Sequence, residues 1–292
     1  MTKDADTRSE IDSGHGDRAG GGCVEKTTLR YTAAMSALPA PFYADESVTL
    51  FHADCREILP LLDRVDVTIT DPPYEAEAHT LGRRIAAGVG REGPSAIRAS
   101  SMTFDPMSAD LRCFAGREIA RLTARWALVF CQIEAAMTWR SVLEQATTRY
   151  MRTMIWAKPN GQPQLTGDRP GMGYESIVVM HGAGASRWNG GGRRGWFDYV
   201  TDGNFSRNPR FHEAQKPLEF IRDLVRLFSD PGELILDPFA GSGTLGVAAR
   251  AEGRRAILIE KDEQYADIAA RRLERGDVGM RQPDQLMLWS AP

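Results

Sequence analysis

The chain has 292 residues, 42% apolar and 26% charged, enough for one sizeable α/β core or a core with a small appended lobe. With 36 basic and 39 acidic residues the formal net charge is -3, which excludes a globally basic nucleic-acid coat but leaves room for a local basic groove. Cys23, Cys55, Cys113 and Cys131 form no C-x-x-C pair and no Cys/His cluster, so neither a disulfide framework nor a bound metal is expected.

Residues 1–28 are charged, glycine-rich and poor in apolar side chains, and read as a flexible tail without a signal-peptide core. A catalytic region is expected over 29–276. It opens with β-branched strands at Val48–His52 and Val65–Thr70 that flank a helical stretch, Arg56–Leu62. Further strands are predicted at Trp126–Cys131, Met151–Trp156 and Ser176–Met180. Leu218–Phe228 is apolar at helical spacing, and the strands Leu234–Asp237 and Ala256–Glu260 enclose a helix at Leu245–Ala251. Apolar strands alternating with helices predict a doubly wound, mostly parallel sheet with helices on both faces. Two long stretches interrupt this rhythm, an insert at 75–104 and a segment at 183–212, and loops of that length are usually functional or disordered. The tail 277–292 carries no clear pattern. No apolar run is long enough to span a bilayer, and a cytoplasmic location follows as the expectation.

Two motifs carry chemistry. Asp237-Pro238-Phe239-Ala240-Gly241-Ser242-Gly243-Thr244 follows a buried strand and opens a helix, and Gly241 and Gly243 allow a tight turn and close approach to a ligand. Glu260, sixteen residues beyond Thr244, ends the next strand, where an acid can hydrogen-bond ribose hydroxyls. A G-x-G alone also serves an ordinary strand–helix turn; the Walker lysine and the third glycine of the dinucleotide fingerprint are missing, which disfavours an NAD enzyme. The second motif is Asp71-Pro72-Pro73-Tyr74, at the end of a strand. Two prolines hold the backbone extended and leave carbonyls as acceptors. A carboxylate beside a fixed carbonyl suits both hydrogens of a planar NH2 group, with Tyr74 stacking on the attached ring. The plainer alternative is a strand stopped by Pro-Pro.

Together the two motifs resemble those of amino-group DNA methyltransferases that use S-adenosyl-L-methionine. The order, with Asp71-Pro72-Pro73-Tyr74 upstream of the glycine motif, resembles the circularly permuted β-type arrangement, as found in bacterial and phage members. His212-Glu213-Ala214-Gln215-Lys216-Pro217 resembles the family's H-x-x-Q-K-P motif, Ala53-Asp54-Cys55 its short acidic motif, and Trp156–Asn160 with Gly167–Glu175 the segment that closes over the target base. The resemblance covers roughly residues 47–275 and implies a Rossmann-like, seven-stranded methyltransferase fold. It implies that Asp71, Pro72, Pro73 and Tyr74 grip a flipped base, and that Asp237, Phe239, Gly241, Gly243, Glu260, Lys216 and Asp54 hold the cofactor, Lys216 joining Asp237 at its amino-acid end. Within 183–212, Arg187, Arg193, Arg194, Arg207 and Arg210, interleaved with Trp188, Trp196, Phe197, Tyr199 and Phe205, are the expected DNA contacts. Double-stranded DNA is the implied partner, with a homodimer and a cognate restriction nuclease as companions seen in such systems. An aspartate opening the motif leans to adenine N6. Cytosine N4 is the runner-up, followed by an RNA methyltransferase and a non-catalytic DNA-binding member.

Overall fold

The computed structural model describes residues 38–74, 106–161, 170–201 and 215–276. These residues belong to one compact unit that begins at Leu38. The expected N-terminal tail, the body of the 75–104 insert, the tail 277–292 and the residues Arg207, Arg210 and His212 lie outside the described set.

The chain runs through β1 (Tyr43–Ala44), β2 (Val48–His52), α1 (Cys55–Ile58), β3 (Val65–Thr70), α2 (Ala109–Leu122), β4 (Thr123–Cys131), α3 (Ala136–Leu143) and β5 (Thr148–Ala157). It continues through β6 (Tyr174–Gly182), β7 (Trp196–Asp198), α4 (Leu218–Phe228), β8 (Leu234–Asp237), α5 (Thr244–Ala251), β9 (Arg255–Glu260) and α6 (Glu263–Arg275). One sheet holds every strand, in the order β1-β2-β9-β8-β3-β4-β6-β5-β7. The five strands from β2 to β4 are parallel, whereas β6 runs antiparallel to both β4 and β5. Seven long strands match the expected methyltransferase sheet, and the two- and three-residue strands β1 and β7 extend its edges.

Side-chain alternation along β4 fixes the layering. Trp126, Leu128 and Phe130 join the apolar cluster that includes α4, α5 and α6, while Ala127, Val129 and Cys131 join the one formed with Ile119 of α2 and Trp139 and Leu143 of α3. Helix α4 is the principal cover of the first face: Phe220, Ile221, Leu224 and Val225 are all buried, and each such side chain contributes about 1.5–3 kcal/mol. The helix expected over Arg56–Leu62 is instead the single turn α1 followed by a 3-10 turn, Leu59–Leu61, because Pro60 has no N–H to continue an α-helix.

Strand order sets where a ligand can enter. From β8 the chain moves through α5 to β9 on one side, and from β3 it moves through α2 to β4 on the other. Between the neighbours β8 and β3 the winding reverses, and the crevice beyond their C-terminal ends is where open α/β sheets bind ligands. Both sequence motifs begin at those two strand ends.

Candidate active site

The glycine turn is built from β8 and β9. Asp237 ends β8, buried, and its Oδ1 accepts hydrogen bonds from Thr70 Oγ1 (2.7 Å) and the Phe239 amide (3.1 Å). Burial pushes this carboxyl up to about 7, against the lowering effect of those two donors. Gly241 and Gly243 both adopt left-handed backbone, with φ of 51° and 75°. Their surroundings differ: a Cβ at Gly241 would meet nothing within 4 Å, whereas one at Gly243 would lie 2.8 Å from the Cβ of Ala269 on α6. Gly243 therefore permits close helix packing, and Gly241 leaves open space above the turn.

Glu260, at the end of β9, receives the Gly241 amide on Oε2 (2.6 Å) and the Asp262 amide on Oε1 (2.8 Å). Each oxygen keeps a second acceptor position. Burial raises the pKa of this group. Strand β2 ends beside it, its Ala53 amide bonded to the Glu260 carbonyl (3.0 Å). Asp54 follows and caps α1 by accepting the Arg56 amide (2.9 Å). The Arg56 guanidinium, 2.7 Å away, holds its carboxyl at about 2.

On the β3 side lies a cluster of buried charges. Asp71 pairs through Oδ2 with the Lys216 ammonium, while its buried Oδ1 has no hydrogen-bond partner. Lys216 also lies 3.2 Å from Glu175 Oε2, and Glu175 pairs through its other oxygen with Lys158. The Tyr74 hydroxyl donates to Glu175 Oε2 (2.6 Å). Aromatic rings pack around Lys216, whose Nζ is 5.2 Å from the Phe130 centroid and 5.5 Å from that of Tyr74. Two carboxylates and two ammonium groups balance. Burial opposes ionisation of Glu175, yet Lys216 and Lys158 hold it at about 2. Asp71 moves the other way: burial raises it more than Lys216 lowers it. Burial also lifts the Tyr74 phenol well above its usual range, with Asp71 and Glu175 adding to the effect.

Asp71 through Tyr74, the turn from Asp237 to Gly243, and Glu260 thus lie at the same edge of the sheet. Lys216 reaches that edge, but its ammonium sits on Asp71 and Glu175 rather than on Asp237. Glu175 and Lys158 entered the sequence reading only as parts of the stretches that resemble the base-closing segment, without individual roles. The signal for them was their place in the hairpin: β5 pairs Trp156 with Glu175, which brings Lys158, just past the strand end, to the same spot.

The expected DNA-contacting arginines divide. Arg187 pairs with Asp230, ahead of β8, and its carbonyl accepts the Trp126 indole N–H (2.8 Å). Trp126 is in register with Val67, four residues before Asp71, or about 13 Å along the strand, so Arg187 lies towards the opposite edge and is not brought to the site. Arg193 is bound to Asp223 on α4 (2.9 Å), which also accepts the Tyr199 hydroxyl (3.1 Å). Asn189 donates to the Arg226 and Ser229 carbonyls at the end of the same helix. Residues 187–199 are therefore a strap held along α4. Arg194 is exposed.

Among the described residues no three His, Cys, Asp or Glu are grouped to hold a metal ion, and no helix is long and apolar enough to cross a membrane.

Comparison with known proteins places the chain in a family. M.Cfr9I of Citrobacter freundii, a Type II methyltransferase, is 32% identical over 140 residues, 45% of this chain and 47% of that protein. The chain thus spans about half the length of the first such relatives. M2.LlaDCHI of Lactococcus lactis subsp. cremoris, also a Type II methyltransferase, is 24% identical across 81% of this chain and 93% of its own. In fold, the chain is similar to the M1.HpyAVI–SAM complex, with a TM-score of 0.58 at 21% identity, covering 77% of this chain and 98% of that one. It is similar also to the PvuII cytosine-N4-specific DNA methyltransferase, with a TM-score of 0.59 at 13% identity, covering 80% and 88%. Residues 65–271 match the DNA methylase family model for N6 and N4 enzymes, a span that runs from the strand bearing Asp71 to the helix beneath Gly243. The chain belongs to the N6/N4 DNA methylase family.

Proposed function

We propose that the protein transfers the methyl group of S-adenosyl-L-methionine to the N6 amine of an adenine flipped out of duplex DNA. The observation that carries this reading is the lone Oδ1 of Asp71, a buried acceptor without a partner, beside the glycine turn at the winding reversal. The residues present fit the cofactor. Open space lies over Gly241, and Glu260 keeps acceptor positions for two ribose hydroxyls. When bound, S-adenosyl-L-methionine supplies a methyl group on a sulfonium, a leaving group that needs no acid catalyst.

The remaining work falls to the chain. Tyr74 stacks on the extruded base, which offsets part of the few kcal/mol lost on unstacking. Asp71 Oδ1 and the Pro72 carbonyl accept the two amine hydrogens, draw the nitrogen out of conjugation and aim its lone pair. Pro73, with its fixed φ and no N–H of its own, stiffens the backbone that carries that carbonyl. Catalysis is then chiefly positioning and electrostatics, with no covalent enzyme intermediate. Phe239 and Asp54 flank the cofactor from the β8 and β2 ends.

Supporting the DNA substrate, Arg207 and Arg210 fall in the sequence between Thr201, which is bonded to Asn160 just beyond Lys158, and Lys216. Asp71 ahead of Gly241 along the chain fits the permuted β-type order. The names of the Type II relatives support a restriction–modification setting; a cytoplasmic location, a partner nuclease and a homodimer complete the proposal.

Nucleoside mass spectrometry tests the reading directly. Unmethylated duplex DNA incubated with protein and S-adenosyl-L-methionine should yield N6-methyladenine, and Asp71→Ala should yield none. N4-methylcytosine would keep the mechanism and move the substrate; no methylated base on diverse DNA would sink it.

A further inference from the structure

We propose that Lys216 and Glu175 form a positioning pair for the amine-accepting site, an inference that rests on the methyl-transfer reading. Lys216 clamps one oxygen of Asp71 and leaves the other for the incoming amine, while Glu175 anchors the Lys216 ammonium and the Tyr74 hydroxyl together. Burial raises the pKa of Asp71 and so favours its protonated form. A protonated carboxyl can present a donor to an amine that needs an acceptor, which turns the contact repulsive. The adjacent ammonium opposes that. Lys216 and Lys158 would in turn leave a surplus of buried positive charge without Glu175, which lies against both. The groups facing Asp71 are Lys216, Glu175, Lys158 and, across the β3–β8 boundary, Asp237. The same Glu175 oxygen holds the Tyr74 hydroxyl at 2.6 Å, so the stacking ring and the acceptor are fixed by one residue. This differs from the role that resemblance gives Lys216, at the amino-acid end of the cofactor.

The test measures Asp71 itself. Its carboxyl titration is followed by 13C NMR in aspartate-labelled protein, with Asp71→Asn for assignment, alongside S-adenosyl-L-methionine affinity and the pH profile of methyl transfer to unmethylated genomic DNA. Lys216→Met should raise the Asp71 titration by about one pH unit or more while cofactor affinity stays within about twofold. Its transfer rate should fall about a hundredfold near pH 6.5 and partly recover near pH 8.5, and Lys216→Arg should restore much of the loss. Glu175→Gln, which keeps an acceptor for Tyr74, should move the Asp71 titration down and lower kcat more than it raises KM. An unmoved Asp71 titration in Lys216→Met, or a cofactor affinity reduced more than about tenfold, would overturn the pair and return Lys216 to the cofactor. The titration needs no substrate. Wild-type protein that methylated no DNA base would overturn the functional reading and the pair's part in transfer with it.

Discussion

At the scale of single residues, two carboxyls beside one another at the ends of β3 and β8 have different tasks. Asp71 keeps a free acceptor. Asp71→Ala should reduce methyl transfer by about a thousandfold or more while leaving S-adenosyl-L-methionine affinity unchanged in calorimetry. The fold should survive, because Lys216 retains Glu175 as counter-charge. Asp237 has both its donors on one oxygen and is pushed up to about 7 by burial. A carboxyl raised on folding contributes stability that is present below its unfolded pKa of 3.8 and is lost as pH rises through about 7. Asn at this position accepts the same two bonds and never ionises. Thermal unfolding of Asp237→Asn should therefore gain on wild type as pH rises from 5 to 8, by about 4 °C or more at the upper end. A difference that stays flat with pH would show that Asp237 is not the titrating group.

At the scale of elements, the glycine turn separates two kinds of constraint. Gly243→Ala must hold a left-handed backbone and drive a methyl group into Ala269 of α6, so it should cost about 2–4 kcal/mol in denaturant unfolding. Gly241→Ala meets open space, should cost only about 1 kcal/mol, and should instead weaken cofactor affinity, because its methyl group projects into that space. Equal effects of the two on stability would contradict this division. That contrast is invisible in the sequence, where both read as turn glycines. The strands β2, β3, β8 and β9 and the helices α4 and α5 were legible because β-branched runs and strong apolar periodicity declare them locally. Helix α2 was not: Arg112, Arg117, Glu118 and Arg121 dilute its apolar stripe, and Ser108 as its cap is one serine among many. Strand β7 exists only because β5 pairs with it, a tertiary cause that three residues cannot announce. In the candidate site, the motif residues Asp71, Tyr74, Asp237, Gly241 and Glu260 lie at the strand ends where their local pattern put them. Glu175 was missed as a partner because its contacts, Tyr74 and Lys216, lie 101 and 41 residues away along the chain.

At the scale of the whole molecule, the question is which edge of the sheet meets DNA. A net charge of -3 gives no general attraction to a polyanion, so affinity must be local. Composition pointed to all of 183–212, yet α4 carries the first half of that segment away from the site. The helix starts at Leu218, two residues past Lys216 on the site edge, and reaches Ser229 and Asp230 about 17 Å further on, where Asn189 and Arg187 are tied down. Arg193 lies between, on Asp223. Their basic charge serves to fasten the strap. Arg187→Glu should therefore leave DNA affinity and its salt dependence unchanged, and Asn189→Ala should lower unfolding stability by about 1–2 kcal/mol without altering either. Arg207→Glu should behave otherwise: weaker binding at every sequence and a slope of log K against log salt smaller by about one. Salt titrations of the three variants on one unmethylated duplex decide the orientation. If Arg187→Glu reduced the slope as Arg207→Glu does, DNA would reach the edge remote from Asp71, and base entry between β3 and β8 would have to be abandoned.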